Sequence, residues 1–211
     1  MRPFLPAFSL FLALCSQLFA FDGDITMESV MGGQAVNSTF VAKGAKVKVS
    51  PPGGMGTVII DRSTDDVYIL MDAQRMYMKR PMDSLQAPQP DGEITDSGET
   101  DEILGYPVRK LVFTEASGNY TEIWATTEIK NEALNNMPGV NQKMLDQIEA
   151  VFGTSEILPL KTVTHNKDGV VLNAMTVTAI TPREVSDAEV SIPEGYTEFE
   201  MPAGAPVAPG Q

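Results

Sequence analysis

From Phe21 to Thr181 the chain is cut into short runs of alternating or β-branched residues, most closed by Gly, Pro, Asp or Asn. A two-residue alternation sends successive side chains to opposite sides of an extended backbone, so such runs specify strands. Phe21 to Met31 alternate loosely until Gly32-Gly33, and Val36–Ala42, Ala45–Val49 and Thr57–Asp61 follow as further β-rich runs. Val67–Met71 and Arg75–Lys79 sit so close together that a hairpin or meander is the natural connection. Strand patterns resume at Tyr106–Glu115 and Tyr120–Thr126, around the turn residues Ala116-Ser117-Gly118-Asn119. Two longer runs, Glu156–Asn166 and Val170–Thr181, flank Asn166-Lys167-Asp168-Gly169, where Asp-Gly is a hairpin signal. No repeat of fixed period stands out.

One helical stretch interrupts this series. Glu128 to Met137 predicts a first helix ended by Pro138-Gly139. Val140 to Phe152 predicts a second, with Val140, Met144, Leu145, Ile148 and Val151 or Phe152 on one face and Gly153 as its stop. Strands, a helical insert, then strands is an α+β plan, mainly antiparallel β, and not a series of βαβ units. Gln86–Gly98, rich in Pro, Asp, Gly and Ser, reads as an exposed loop. At 211 residues the chain suits one domain, placed at 21–196, with 197–211 as a flexible tail rich in Pro, Ala and Gly.

Residues 1–20 read as a signal peptide: Arg2, an apolar run from Phe4 to Leu14, and small Ala20 before the expected cut. The run is too short for a comfortable permanent span, and no later segment approaches a transmembrane length. The expected location is periplasmic or secreted. Leu12-Ala13-Leu14-Cys15 keeps a second outcome open, an outer-membrane lipoprotein acylated at Cys15, although bulky Leu14 departs from the small residue that motif wants. Cys15 is the one cysteine, so cleavage after Ala20 leaves no disulfide, thiolate metal site or cysteine nucleophile.

With 15 basic and 28 acidic residues the chain carries −13, and −14 once Arg2 is removed. Such a surface repels nucleic-acid phosphates. His165 is the one histidine, lacks a Gly-x-Ser-x-Gly partner motif, and is expected to sit exposed at a strand end. One histidine cannot furnish a transition-metal site. Asp61, Asp65 and Asp66, and Glu99, Asp101 and Glu102, cluster without calcium-loop spacing and read as solvated turns. Gly53, Gly54 and Gly56 lack the Lys-Ser/Thr of a phosphate loop. Asn37-Ser38-Thr39 and Asn119-Tyr120-Thr121 match glycosylation acceptors, relevant only to a eukaryotic secretory host. No catalytic constellation, cofactor or metal is expected. Methionine is abundant, 12 in all, and Met71, Met76, Met78 and Met82 crowd one region. Thioethers adapt to irregular apolar ligands but also fill core gaps. Trp124, the one tryptophan, is expected to anchor the helices on the sheet.

Gly105-Tyr106-Pro107-Val108-Arg109-Lys110, Glu122-Ile123-Trp124-Ala125, Thr57-Val58-Ile59-Ile60-Asp61, Val67-Tyr68-Ile69-Leu70 and Ile192-Pro193-Glu194-Gly195-Tyr196 occur in that family's pattern: together they resemble the bacterial envelope family of domain of unknown function 4412. The resemblance spans roughly Phe21 to Tyr196. That family is similar in expected architecture to periplasmic lipoprotein carriers, which implies a curved half-barrel sheet with the helical insert packed on its concave face. It implies a lipid, acyl chain or other hydrophobic ligand, and carries over no catalytic residue. The positions expected to line such a cavity are Met71, Met76, Met78 and Trp124, with Leu145 and Ile148 from the second helix. The competing expectation is a structural or interaction module with a closed core and an envelope protein as partner.

Overall fold

The structure, a computed structural model, describes residues 21–50, 56–85, 91–135 and 142–199. The first meander comprises β1 (Gly23–Met31), β2 (Gln34–Lys43), β3 (Lys46–Ser50), β4 (Thr57–Asp61), β5 (Asp66–Met71) and β6 (Met76–Pro81). The second comprises β7 (Gly92–Ile103), β8 (Tyr106–Glu115), β9 (Tyr120–Thr126), β10 (Leu158–His165) and β11 (Val171–Pro182), with helices α1 (Glu132–Asn135) and α2 (Gln142–Phe152) between β9 and β10. A two-residue strand β12 (Thr197–Glu198) ends the described chain. The spatial order is β12-β6-β5-β4-β3-β2-β1-β11-β10-β9-β8-β7. Every pairing is antiparallel except β12 on β6. The result is one large, open, curved sheet.

Two meanders that each step strand by strand are thus fused where β1 meets β11, with Met27 opposite Val177 and Ile25 opposite Ile180. The β1–β2 reversal is tight because Gly32 and Gly33 both take positive φ, 57° and 81°. That is the mirror-image turn whose twist matches paired strands.

Directly opposed residues of antiparallel strands share a face. One face carries Ile25, Phe40, Val49, Val58, Ile69 and Met78 from β1 to β6. The same face continues through Ser29, Met175, Thr162, Ile123 and Leu111 on β1, β11, β10, β9 and β8. Residues of this face pack with α1 and, on β8 and β9, with α2, while Val108 and Trp124 from the other side of β8 and β9 join the α1 core. Ala133 and Leu134 of α1 join a core with Ile25, Ala42, Val47, Leu158 and Leu160. Ile148 of α2 joins Ile94, Leu111, Phe113, Ala125 and Ile157, with Met144, Val151 and Phe152 against them. Gly153 stops α2 at φ 73°, its N–H donating to the Glu149 carbonyl at 2.8 Å.

The opposite face of β2–β6 is crossed by residues 183–199. Arg183 pairs with Asp24 at 2.8 Å, Asp187 with Lys43 at 2.8 Å, and the Tyr196 hydroxyl donates to Asp72 at 2.6 Å. Val185 and Val190 of this strap are buried, as are Ile59 and Leu70 on the face it crosses.

The element assignments depart from the sequence reading in three places. Residues 92–98 of the expected Gln86–Gly98 loop belong to strand β7. An edge strand buries little, so its polar sequence hides a ladder held by the β8 backbone, which is interrupted by an irregularity between Asp96 and Thr100. Residues 86–90 lie outside the described residues. The first helix, expected over Glu128–Met137, begins only at Glu132. Asn131 is buried and its Oδ1 accepts from the N–H groups of Ala133 (3.0 Å) and Leu134 (3.1 Å). It therefore caps the helix there. Met137 to Val140 fall outside the described residues. Thr197 and Glu198, placed in the tail by the sequence, pair with Met76 and Tyr77.

Candidate functional site

Across β2–β6 the helix-bearing face presents a straight file of apolar side chains. Phe40 opposes Val49, Val49 opposes Val58, Val58 opposes Ile69 and Ile69 opposes Met78. All five are half-buried. With strands roughly 4.8 Å apart, the file spans about 19 Å. Beside it runs Ala42, Val47, Ile60, Val67 and Arg80. In this second file Ala42, Val47 and Val67 are buried. The difference has a local cause at one end: α1 packs with Ala42 and Val47, whereas Val58, Ile69 and Met78 belong to neither buried core cluster.

The hairpin β5–β6 brings Met71, Met76 and Met78 together, since Met71 opposes Met76 and Met78 opposes Ile69 on this face. Each is half-buried. Leu145 and Ile148 lie on α2, which packs at the β7–β9 end of the sheet, eight strands away in the order. Ile148 is buried in that core and Leu145 is half-buried. Trp124 opposes Lys110 and so faces away from Leu111 and Ile123, the residues α2 covers. Its ring lies under the Lys110 ammonium at 5.3 Å and packs against the core cluster that includes α1. Three of the six expected positions are therefore neighbours, and the other three stand elsewhere. Phe40, Val49, Val58 and Ile69 were missed, because each looks like an ordinary strand valine, isoleucine or phenylalanine until the register aligns them.

The polar candidates are internally neutralised. Asp61 and Asp66 oppose one another across β4–β5 and are both buried. Lys46 meets Asp61 at 3.2 Å and Lys79 meets Asp66 at 2.9 Å. Burial pushes the Asp61 carboxyl up, but hydrogen bonds from Ser63 and Lys46 outweigh it and hold it below the usual range. The hydrogen bond from Lys79 does the same for Asp66. Among the described residues no group of three or more His, Cys, Asp or Glu is arranged to hold a metal ion. His165 closes β10 as its position predicted, but its side chain is only 14% exposed. It stacks on Tyr120 at 4.6 Å, with Nε2 3.5 Å from Glu122. Glu122 is bound to Lys110 at 2.6 Å. This is a packed polar cluster on a strand surface.

A single wide, almost wholly antiparallel sheet, with two short helices packed on it and a C-terminal strap across β2–β6, defines the class of domain. The chain belongs to the family of domain of unknown function 4412 (DUF4412), whose model matches residues 21–196. An uncharacterized conserved protein from Thermus thermophilus shares the fold at TM-score 0.53 and 12% identity, over 86% of this chain and 91% of that one. PNGF-II matches at TM-score 0.52 and 18% identity, covering 87% of this chain but 31% of its own, so this chain spans about a third of that protein. The MucB/MucA complex of Pseudomonas aeruginosa gives TM-score 0.47 at 15% identity, covering 80% of this chain and 54% of that one. No curated protein sequence matches the chain. No helix among the described residues is long and apolar enough to cross a membrane.

Proposed function

We propose that this is an exported envelope protein that binds a hydrophobic ligand, such as the acyl chain of a lipid, along the concave side of its curved sheet. The observation that carries this reading is the half-buried file from Phe40 to Met78, five apolar side chains on five successive strands. On this reading the helices lie on the concave face and shield part of it, leaving the file as the seat. Each CH₂ of a chain laid along it contributes about 0.8 kcal/mol. The reading includes no catalytic step. Residues 1–20 would direct export, with the periplasm as destination.

The test is to express the full chain with its own N-terminal segment in a bacterial host and compare native with denatured mass. The denatured mass decides between cleavage after Ala20 and lipid on Cys15. The expected native result is an added mass that extracts into organic solvent and is lost in Ile69→Asp, a change placed in the middle of the file. A clean mass that stays unchanged after incubation with fatty acids and phospholipids overturns the reading.

A second reading, an interaction module for another envelope protein, has its own observation. Val170, Val171 and Leu172 are 58%, 55% and 48% exposed at the β10–β11 turn. Three consecutive large apolar residues so exposed suit a partner surface. Clean native mass together with loss of a co-purifying protein in Leu172→Ser would favour that module.

A further inference from the structure

The helix-bearing face of β1–β6 is almost wholly uncharged. Opposed pairs assign to it Gly23, Ile25, Met27 and Ser29 from β1 and Gln34, Val36, Ser38, Phe40 and Ala42 from β2. They add Val47 and Val49 from β3, Val58 and Ile60 from β4, and Val67, Ile69 and Met71 from β5. From β6 come Met76, Met78 and Arg80. Among these described strand positions Arg80 is the one charged side chain. The lysines and acids of the same strands, Asp24, Glu28, Lys43, Lys46, Lys48, Asp61, Asp66 and Lys79, all fall on the opposite face.

Arg80 stands at the outer end of the face. It is two residues from Met78, about 7 Å along β6, and so beside the last position of the apolar file. Its Nε donates to Met78 Sδ at 3.2 Å, which holds the guanidinium stem against the file rather than out along the strand edge. Arg80 is half-buried. A guanidinium presents a planar fork of donors matched to carboxylate and phosphate oxygens.

We propose that the ligand is an anionic amphiphile whose apolar chain lies along Phe40–Met78 and whose carboxylate or phosphate head is bound by Arg80. This rests on the hydrophobic-ligand reading above and deepens it by naming the head group. The polarity of binding follows: the head sits at β6, near the sheet end, and the tail points toward β2 and the sheet centre. A neutral chain would use the same file without the arginine.

The test is calorimetric titration of the purified protein with decanoate, decyl phosphate and decanol, each below its aggregation concentration. Arg80→Gln, Arg80→Lys and Ile69→Asp are titrated beside it. The expected result is that decanoate and decyl phosphate bind at least about tenfold more tightly than decanol, the scale of a charge-assisted hydrogen bond. Arg80→Gln should remove that preference, and Arg80→Lys should restore part of it. Comparing the two anions distinguishes a carboxylate from a phosphate head. Equal affinity for acid and alcohol, unaltered by Arg80→Gln, overturns the head-group assignment and leaves the hydrophobic site standing. No binding of any probe, by wild type or variants, removes both. Thermal midpoints of the variants, read beforehand, separate lost binding from lost folding.

Discussion

At Gly23 a methyl group would lie 2.3 Å from the Thr181 carbonyl oxygen and 3.0 Å from Pro182 Cα. The residue also takes φ 150°, where a side chain is strained. Both facts arise at the start of the β1–β11 seam, where backbone of the two meanders comes closest. Gly23→Ala is therefore expected to destabilise the protein by about 2 kcal/mol or more. Urea unfolding checks this, and an unchanged midpoint would show that the seam has slack. Nothing in Asp22-Gly23-Asp24 announces such a role, because the nearest obstructing atom belongs to Thr181, about 160 positions away. The Asp61/Asp66 cluster was similarly half legible. Its acidity is visible in the sequence, but the lysines that neutralise it are assigned only by pairing, through Lys46 opposite Asp61 and Lys79 opposite Tyr68.

Among elements, those with clear periodicity were readable and those held by long-range backbone pairing were not. β5 and β6 follow directly from Val67–Met71 and Arg75–Lys79, and α2 from the spacing of Met144, Ile148 and Val151. β7 is polar because it lies at an edge, and a two-residue β12 has no pattern to read. The strap at 183–199 is the least legible element, since its order comes from side-chain anchors. Arg183 meets Asp24 and Glu189, each at 2.8 Å. Glu189 also accepts from the Ser186 N–H at 2.8 Å. Arg183, then Ser186, holds the Glu189 carboxyl down to about 2. A depressed carboxylate stabilises above its unfolded value, about 4.5 here, and that contribution is lost as pH falls toward 2. Arg183→Met should lower the thermal midpoint at pH 7 and speed amide exchange across 183–199. The gap from wild type should narrow toward pH 2. A gap independent of pH would mean that Glu189 is not one of the strap's anchors.

For the molecule as a whole, paired charges frame the pH range of stability. Hydrogen bonds from lysine or arginine hold Asp66, Asp96, Glu122 and Asp187 below their ordinary values, as Ser63 and Lys46 do for Asp61 against burial. Lys43, Lys79 and Lys110 are raised by their partners Asp187, Asp66 and Glu122. The carboxylates stabilise above their unfolded values and lose that effect as pH falls. The lysines stabilise below theirs and lose it as pH rises past about 10.5. Acid also relieves the repulsion of a chain at −13. That term is spread over the surface and screened within about 8 Å at physiological salt, while the pairs are in contact. The pairs should win, giving a plateau in thermal midpoint from about pH 5 to 10 with a fall on either side. A midpoint that rises between pH 5 and 3 would reverse that ranking.

An open sheet has two borders, and each is a backbone ladder waiting for another strand. Here one border is the short parallel piece Thr197–Glu198, laid over β6 by the chain's own strap. The other, β7, carries Glu93, Asp96, Glu99, Asp101 and Glu102 and breaks its pairing with β8 between Asp96 and Thr100. A second molecule approaching β7 would set acid against acid across an irregular rim. The fold therefore approaches without closure what a barrel achieves by closing: each border of its ribbon carries a feature that discourages a neighbouring copy from growing onto it.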